Sequence, residues 1–502
     1  MADKKDAQIE LHQHVHGASH LDSEGRLIYS EAERRLVRKL DIRLMPMIFI
    51  AYFLSIVDRS NVSFAKIANI EKNHHLQGTA GINDEQFSIA LAAFFVGYIV
   101  FEIPSNLMMK KVPAPAWIAR IMVSWGIVTT CQVLITKPWH FTLLRFLLGA
   151  MEAGFFPGVV YYLTFWYRKQ EAAQRIAGFY VATTVSGVVG SAWAYGVQQI
   201  DGNGGYYGWQ WLFLTSGIPT IVVGVLVFFA LPATPDSLAN DWMTKITRRP
   251  WLSDSERELA SARLRVDGIA RNEKKIEKAE FLAVFLDYKN WAFVVMYFGT
   301  VMAANALGLF LPTILFILGY KSLDATKMSI GPYAAGAVMT VAIAWLSDRT
   351  RQRAWPIVFT AALGCAGFAV LALTPFADKT GKYAGCVIAT AGVFATIPII
   401  FGWLSNNLKT STGAATAIAL VSSVGNLGSV VASYALYKTD KPAYKMSHTV
   451  NCVGMAVTCA LAILLRLTYA RLNRKDLAHA AGDTETVVDL TGAAHKPAKY
   501  VL

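Results

Sequence analysis

The sequence predicts an all-α membrane protein of twelve transmembrane helices, arranged as two six-helix halves. Three observations carry this prediction. The chain of 502 residues is 54% hydrophobic and only 16% charged, well under the quarter or so of charged residues in soluble domains. Its apolar residues gather into twelve runs, each long enough to cross a hydrocarbon core of roughly 30 Å as a helix of about 17 to 25 residues. These runs fall into two sets of six with a long polar segment between them, the simplest reading of which is a repeated six-helix unit.

The first set lies near 44–66, 86–108, 116–136, 139–164, 175–198 and 210–231, and the second near 290–317, 328–347, 355–375, 381–405, 412–436 and 449–470. The predicted organisation is a cytoplasmic tail over 1–43, one half over 44–231, a cytoplasmic middle segment over 232–289, a second half over 290–470 and a cytoplasmic tail over 471–502. The middle segment holds eleven Lys/Arg and ten Asp/Glu, as in Lys274-Lys-Ile-Glu-Lys278. Its charges nearly cancel, so it reads as amphipathic helices along the membrane surface. Short loops do not decide the orientation, with ten lysines on one side against nine Lys/Arg on the other. The clusters Arg34, Arg35, Arg38, Lys39, Arg43 and Arg466, Arg471, Arg474, Lys475 place both termini in the cytoplasm. No apolar stretch precedes Met45, so a cleaved signal peptide is not expected.

A formal charge of +13 and a pI near 9.4 would suit nucleic acid, but the basic residues are scattered beside apolar runs instead of forming one patch. The five cysteines lie in or beside apolar stretches without metal-ligand spacing and read as small packing residues. His12, His14, His16 and His20 read as polar tail sequence, and no metal or cofactor is expected. Gly202, Gly204, Gly205 and Gly208 follow no strand and read as a turn, not a phosphate loop.

Ionisable groups inside an apolar run cost several kcal/mol unless they meet a partner or water, so each is a candidate functional group. The first run contains Asp58-Arg59-Ser60-Asn61, the second Glu102, and the fourth Arg145 and Glu152. The competing reading is an ion pair that fixes helix packing. Asp58 lies about 20 Å along its helix, and Arg145 falls at a similar height, so a pair between them is geometrically open. Glu152 is seven residues past Arg145, on nearly the same face and about 10 Å deeper. A carboxylate in low dielectric takes up and releases a proton as access to its cavity changes, while arginine stays charged and grips a carboxylate with two parallel bonds. Protonation of Asp58 or Glu152 would therefore free an arginine for an arriving anion.

At these residues the chain resembles the major facilitator superfamily, and within it the anion:cation symporter family of bacterial sugar-acid permeases and fungal allantoate, nicotinate and pantothenate permeases. The resemblance covers about residues 40–475. It rests on Asp58-Arg59-Ser60-Asn61, Tyr98, Glu102-Ile-Pro-Ser-Asn106, Arg145-Phe-Leu-Leu-Gly149 through Glu152-Ala-Gly-Phe-Phe-Pro-Gly158, Gly208-Trp-Gln-Trp-Leu-Phe213 and Ala344-Trp-Leu-Ser-Asp-Arg349. It implies the major facilitator fold and symport of a small organic anion with H⁺ or Na⁺ by alternating access, in a lipid bilayer and as a monomer. By that resemblance Asp58 and Glu152 couple the proton, while Arg59, Arg145, Asn61, Tyr98, Asn305 and Asn426 contact substrate. Asp348, Arg349 and Glu102 become gating candidates. Simple interhelical hydrogen bonding is the competing reading of each asparagine. The loop after the second run departs from the superfamily pattern, carrying Pro104-Ser105-Asn106 and Lys110-Lys111, whereas Asp348-Arg349 keeps it. Asp348 is expected against the start of the eleventh helix, where the dipole favours an anion, with a charge cluster beside Arg351 and Arg353 as the alternative. Phe310-Leu-Pro-Thr313 and Leu318-Gly-Tyr-Lys321 resemble fungal members, which implies the plasma membrane of a eukaryotic microbe.

Two other classes remain open at this level: a carrier of a neutral or zwitterionic vitamin or peptide, and a nutrient receptor that signals without transport. An enzyme is not expected, since no nucleophile, metal cluster or nucleotide motif appears. The orientation gives a first prediction. A cysteine placed at residue 260 stays unlabelled by an impermeant maleimide in sealed cells, and external labelling there refutes a cytoplasmic middle segment.

Overall fold

The computed structural model describes residues 30–109, 111–232, 234–235, 251–266, 278–350, 352–408, 411–434, 443–482 and 501. The N-terminal histidines, Lys110, Arg351 and the Lys274–Lys278 run except its last residue fall outside them. Among the described residues the regular structure is helical. The spans are α1 (Glu31–Ile67), α2 (Asp84–Met109), α3 (Ala114–Cys131), α4 (Pro138–Glu152, continued by Phe155–Leu163), α5 (Lys169–Gln198) and α6 (Gly208–Ala230). After the middle segment come α7 (Tyr288–Ile317), α8 (Ser322–Met328, continued by Ile330–Thr350), α9 (Ala354–Leu373), α10 (Lys379–Asn406), α11 (Ser411–Gly425, continued by Leu427–Tyr434) and α12 (Lys445–Gly482). Eleven are long and apolar enough to cross a membrane. The other, α5, has the length but opens on Lys169, Glu171 and Arg175.

Two ends outrun the apolar runs that predict them. α1 begins at Glu31 because Ser30 and Glu33 close a reciprocal cap, with Ser30 Oγ accepting the Glu33 N–H at 3.2 Å and Glu33 Oε2 accepting the Ser30 N–H at 3.0 Å. The end of the predicted first tail, residues 31–43, thus forms the first three turns of a helix. α12 likewise continues to Gly482, into the predicted second tail.

Three predicted helices are interrupted, and proline explains two of the breaks. A proline has no N–H and its ring collides with the carbonyl four residues earlier. That carbonyl belongs to Ala153 for Pro157, where α4 breaks with Gly154 left-handed at φ 83°, and to Met328 for Pro332, where α8 breaks. The third break, at Asn426 in α11, lies between Gly425 and Leu427. Close packing fixes other glycines. At Gly392 of α10 an added Cβ would lie 2.6 Å from the Thr360 carbonyl oxygen and 2.7 Å from Gly364 Cα on α9, so those helices meet through backbone. The large apolar side chains that stay exposed, such as Val100, Leu134, Val338 and Leu373, lie along the spans, as a lipid-facing surface requires.

The middle-segment helix Asp254–Val266 is docked against the bundle. Arg263 pairs with Glu171 of α5 and with Glu33 of α1, the latter at 3.5 Å, and Arg168 approaches Glu33 at 3.7 Å. All four side chains are buried. Trp251 packs on Trp166 with centroids 5.7 Å apart. Removing one member of such a set strands a buried charge, which costs about 3 to 5 kcal/mol. Arg263→Ala is accordingly expected to lower the unfolding temperature in detergent clearly, while the double change Arg263→Met with Glu171→Gln recovers much of the loss; an unshifted Arg263→Ala refutes the anchoring role.

Candidate functional site

Helix α1 presents Tyr52, Ser55, Ile56, Arg59 and Ser60 as one stripe at the 3- and 4-residue spacing of a helix face. That stripe forms one wall of a cavity of about 140 Å³ whose other walls include Tyr98 of α2, Glu152 of α4, Thr183 of α5, Tyr297 and Asn305 of α7, Tyr333 of α8 and Asn426 of α11. Both predicted halves therefore contribute. Of the lining residues only Arg59 and Glu152 carry formal charge, and they form an ion pair at 2.6 Å. Ser55 Oγ donates to the same Glu152 oxygen at 2.5 Å. The Arg59 guanidinium also lies over the rings of Phe94 and Tyr98, at 5.0 and 5.5 Å, an arrangement that favours the cation. Glu152 is almost closed off, with 2% of its side chain exposed, whereas Arg59 keeps 26%, so the arginine is the partner a ligand reaches.

The opposite wall is neutral and polar. Asn305 Nδ2 donates to Ser429 Oγ at 2.9 Å and to the Val301 carbonyl at 3.0 Å, which leaves Oδ1 as its uncommitted group. Asn426, in the break of α11, makes no side-chain hydrogen bond among the described residues. Tyr52, Ser55, Tyr297 and Tyr333 join the cavity without having been singled out from sequence. Ser55 had a readable signal, since it lies four residues before Arg59.

Asp58, Asn61 and Arg145 lie outside this cavity. Asp58 and Asn61 face the opposite side of α1: Asp58 Oδ2 accepts from Trp125 Nε1 at 3.1 Å and from Thr220 Oγ1 at 2.8 Å, and Asn61 Nδ2 donates to Ser216 Oγ at 2.8 Å. Asn61 thus fastens α1 to α6. The pair between Asp58 and Arg145 is not formed: donors from α3 and α6 take Oδ2, and Oδ1 is buried without a hydrogen-bond partner among the described residues. Arg145 is buried, 1% exposed, with its guanidinium 5.6 Å from the Phe141 ring and 5.9 Å from Phe213. Its Nε and Nη2 have no hydrogen-bond partner. Nor does Glu152 pair with Arg145, which lies two turns away on the same helix; Glu152 Oε1 is taken by Arg59 and Ser55 of α1.

Of the gating candidates, buried Glu102 accepts from Ser423 of α11 at 3.4 Å, a contact between the halves. Asp348, near the end of α8, pairs with Arg353 at 2.7 Å; the expected contact with the start of α11 falls partly on residues 409–410, which lie outside the described ones. Exposed Arg349 lies 5.2 Å over Trp345. A set of contacts that sequence reasoning missed joins the halves at the end of the bundle away from residue 31. There the Asn69 N–H donates to Ser322 Oγ at 3.0 Å, Glu71 Oε1 accepts the Ser322 N–H at 2.7 Å, and Gln198 Nε2 donates to Thr326 Oγ1 at 3.2 Å. Asp201 holds this loop in shape, accepting from Gly208 N–H at 2.9 Å and meeting His74 at 2.9 Å and Lys72 at 3.5 Å. Burial pushes the Asp201 carboxyl up, but the His74 and Gly208 hydrogen bonds and the nearby positive charge outweigh it and hold the group below the usual range. A depressed carboxylate stabilises the fold above its unfolded value of about 3.9 and loses that contribution as pH falls through the folded value. The clamp therefore stays intact across neutral and mildly acidic pH.

Residues 48–433 match the family model described as Major Facilitator Superfamily. The chain is 36% identical over 457 residues to the MFS transporter prlL of a fungal species (strain NRRL 50135), covering 91% of this chain and 90% of that protein. It is 32% identical over 415 residues to a putative tartrate transporter of Agrobacterium vitis, covering 82% and 86%. Among solved structures, the proton:xylose symporter XylE of the same superfamily, bound to 6-bromo-6-deoxy-D-glucose, shares the fold with a TM-score of 0.62 at 15% identity, covering 85% of this chain and 95% of that one.

The contacts at Ser322 predict a measurable shift. With Glu71→Ala the bonded end opens more often, so a cysteine replacing Ile56 in the cavity wall reacts several-fold faster with an impermeant maleimide added on that side. An unchanged labelling rate refutes the latch.

Proposed function

The chain belongs to the Major Facilitator Superfamily and is an integral multi-pass membrane transporter, and from that premise we propose that it carries a small organic anion, a carboxylate or sugar acid, together with H⁺ by alternating access of its two halves. The observation that carries this reading is the Arg59–Glu152 pair in the cavity wall. With Glu152 ionised, its carboxylate occupies the guanidinium. A proton on Glu152 cancels the charge that holds them together, and a substrate carboxylate then takes both prongs of Arg59. One proton and one monoanion enter a site whose own charges already balance, so the loaded cavity is neutral overall. That matters in a medium where a net charge is costly. Tyr98, Asn305 and Asn426 supply the neutral contacts that fix orientation, in keeping with sites that use a few polar groups on a mostly apolar wall. The relative named as a putative tartrate transporter fits this substrate class. On this reading the halves divide at the polar segment 232–289, both termini face the cytoplasm, and the protein works at the plasma membrane as a monomer. Asp58 serves as a second protonation site behind the cavity, Arg145 shapes the field around it, and the Glu102–Ser423 contact belongs to the gate at the other end.

The test separates coupling from binding. Glu152→Gln is neutral and nearly isosteric with the protonated acid, so in liposomes it retains exchange of labelled for unlabelled substrate but loses accumulation driven by a pH gradient. Full gradient-driven accumulation by this variant refutes the assignment, and Asp58→Asn measured alongside shows whether that group carries the proton instead. Arg59→Lys replaces a planar fork with a point charge and is expected to weaken affinity by about tenfold, roughly 1.4 kcal/mol. Unchanged affinity would reduce Arg59 to a packing charge.

A further inference from the structure

Trp403 and Asn407 stand one helical turn apart at the end of α10, and together they hold a residue from far along the sequence. Asn407 Oδ1 accepts the Val501 N–H at 2.8 Å, and Asn407 Nδ2 donates to the Val501 carbonyl at 3.2 Å. Trp403 Nε1 donates to that same carbonyl at 2.9 Å. One side-chain amide therefore reads both polar groups of a single backbone residue, as one strand reads its neighbour, and an indole adds a third bond.

The receptor is built, not incidental. Trp403 is fully buried, at 0% exposure, and its ring stands edge-on to Phe293 of α7 at 5.3 Å and to Tyr469 of α12 at 5.9 Å. Packing from two other helices thus fixes where its N–H points. The Asn407 amide is oriented in turn by a 3.0 Å bond from Nδ2 to the Trp403 carbonyl, which leaves one amide hydrogen and the oxygen for the peptide. A buried indole N–H without an acceptor costs about 1 to 3 kcal/mol, so the site favours being filled. All three bonds go to backbone atoms, so the chemistry selects an extended peptide, whatever its sequence, provided the side chain at the contact is compact enough to lie half-buried as Val501 does.

We propose that Trp403 and Asn407 form a docking site for an extended peptide segment, and that its occupant is this chain's own segment at Val501. Docking ties that segment to the start of the α10–α11 connection. Both helices joined there also line the cavity, through Phe394 and Ile397 on α10 and Ser422 and Asn426 on α11. The inference does not depend on the substrate or on proton coupling.

Hydrogen–deuterium exchange on the full chain in detergent or nanodiscs tests it. The Val501 amide is expected to exchange at least about tenfold more slowly than in a free peptide of residues 496–502. Asn407→Leu removes the acceptor and abolishes that protection, and Trp403→Phe, which keeps the ring but not its N–H, weakens it. Unaltered protection across α10 and α12 in both variants confirms that they fold. Exchange of Val501 at the free-peptide rate in the native chain overturns the proposal, as does protection that survives Asn407→Leu. Protection that grows with protein concentration assigns the occupant to a second copy and overturns the choice of this chain's own segment.

Discussion

The ion pair between Arg59 and Glu152 is the interaction on which the rest of the arrangement depends. Two opposite charges in a wall largely closed to water attract strongly, but each alone would carry a desolvation cost of several kcal/mol. The neighbourhood is organised accordingly. Ser55 gives Glu152 a further donor, and the faces of Phe94 and Tyr98 lie against the guanidinium. An arginine held this way does not readily give up its partner to water. On the proposed function it exchanges one carboxylate for another, and a proton is the smallest agent able to make the first carboxylate leave. That reading links a chemical event on α4 to the vacancy of a binding group on α1.

Placing Glu152 there requires an interrupted helix. In hydrocarbon, backbone outside a regular helix is tolerated only where protein or a cavity satisfies it, and two of the three interrupted spans bring a residue to the cavity beside the break. Glu152 ends the first part of α4, just ahead of the Ala153 carbonyl that Pro157 leaves without its helical donor, and Asn426 occupies the gap in α11. The third break, in α8, follows the same proline logic, with the cavity-lining Tyr333 one turn beyond it.

The fold was legible because lipid imposes one dominant pattern, a long apolar run per span, and no local detail changes it. The site was legible only in part, and α1 shows why. Asp58-Arg59-Ser60-Asn61 is a single motif in sequence, but successive residues turn by about 100° on a helix. Arg59 and Ser60 reach the cavity while Asp58 and Asn61 face α3 and α6. One motif thus serves two faces of the helix. Arg145 and Glu152 lie two turns apart on one unbroken stretch of α4, but only Glu152 lines the cavity, where Arg59 and Ser55 of α1 claim it. The latch at Ser322 was not readable at all, since two of its bonds use backbone N–H groups, which every residue but proline carries, and its loop holds Asn69 in the left-handed region at φ 51°.

The two ends of the cavity are closed unequally, which bears on how the cycle runs. At the end away from residue 31 the halves share three hydrogen bonds at 2.7 to 3.2 Å, one of them donated by the first N–H of α8 to a carboxylate. Towards the other end the described contact between polar side chains of the two halves is Glu102 to Ser423, at 3.4 Å. A net value of about 0.5 to 1.5 kcal/mol per hydrogen bond puts the first closure at roughly 2 to 4 kcal/mol. A ligand shifts such an equilibrium only by its differential affinity for the two states. At about 1.4 kcal/mol per factor of ten, a substrate must distinguish the open from the closed arrangement by some 30- to 1,000-fold to break these bonds unaided. On the proposed function, two parallel charge-assisted bonds to Arg59 are a source of that size, provided they form fully in only one arrangement. The latch and Arg59 would in this sense be matched: a much stronger latch would trap the transporter closed at that end, and a much weaker one would let it open without cargo.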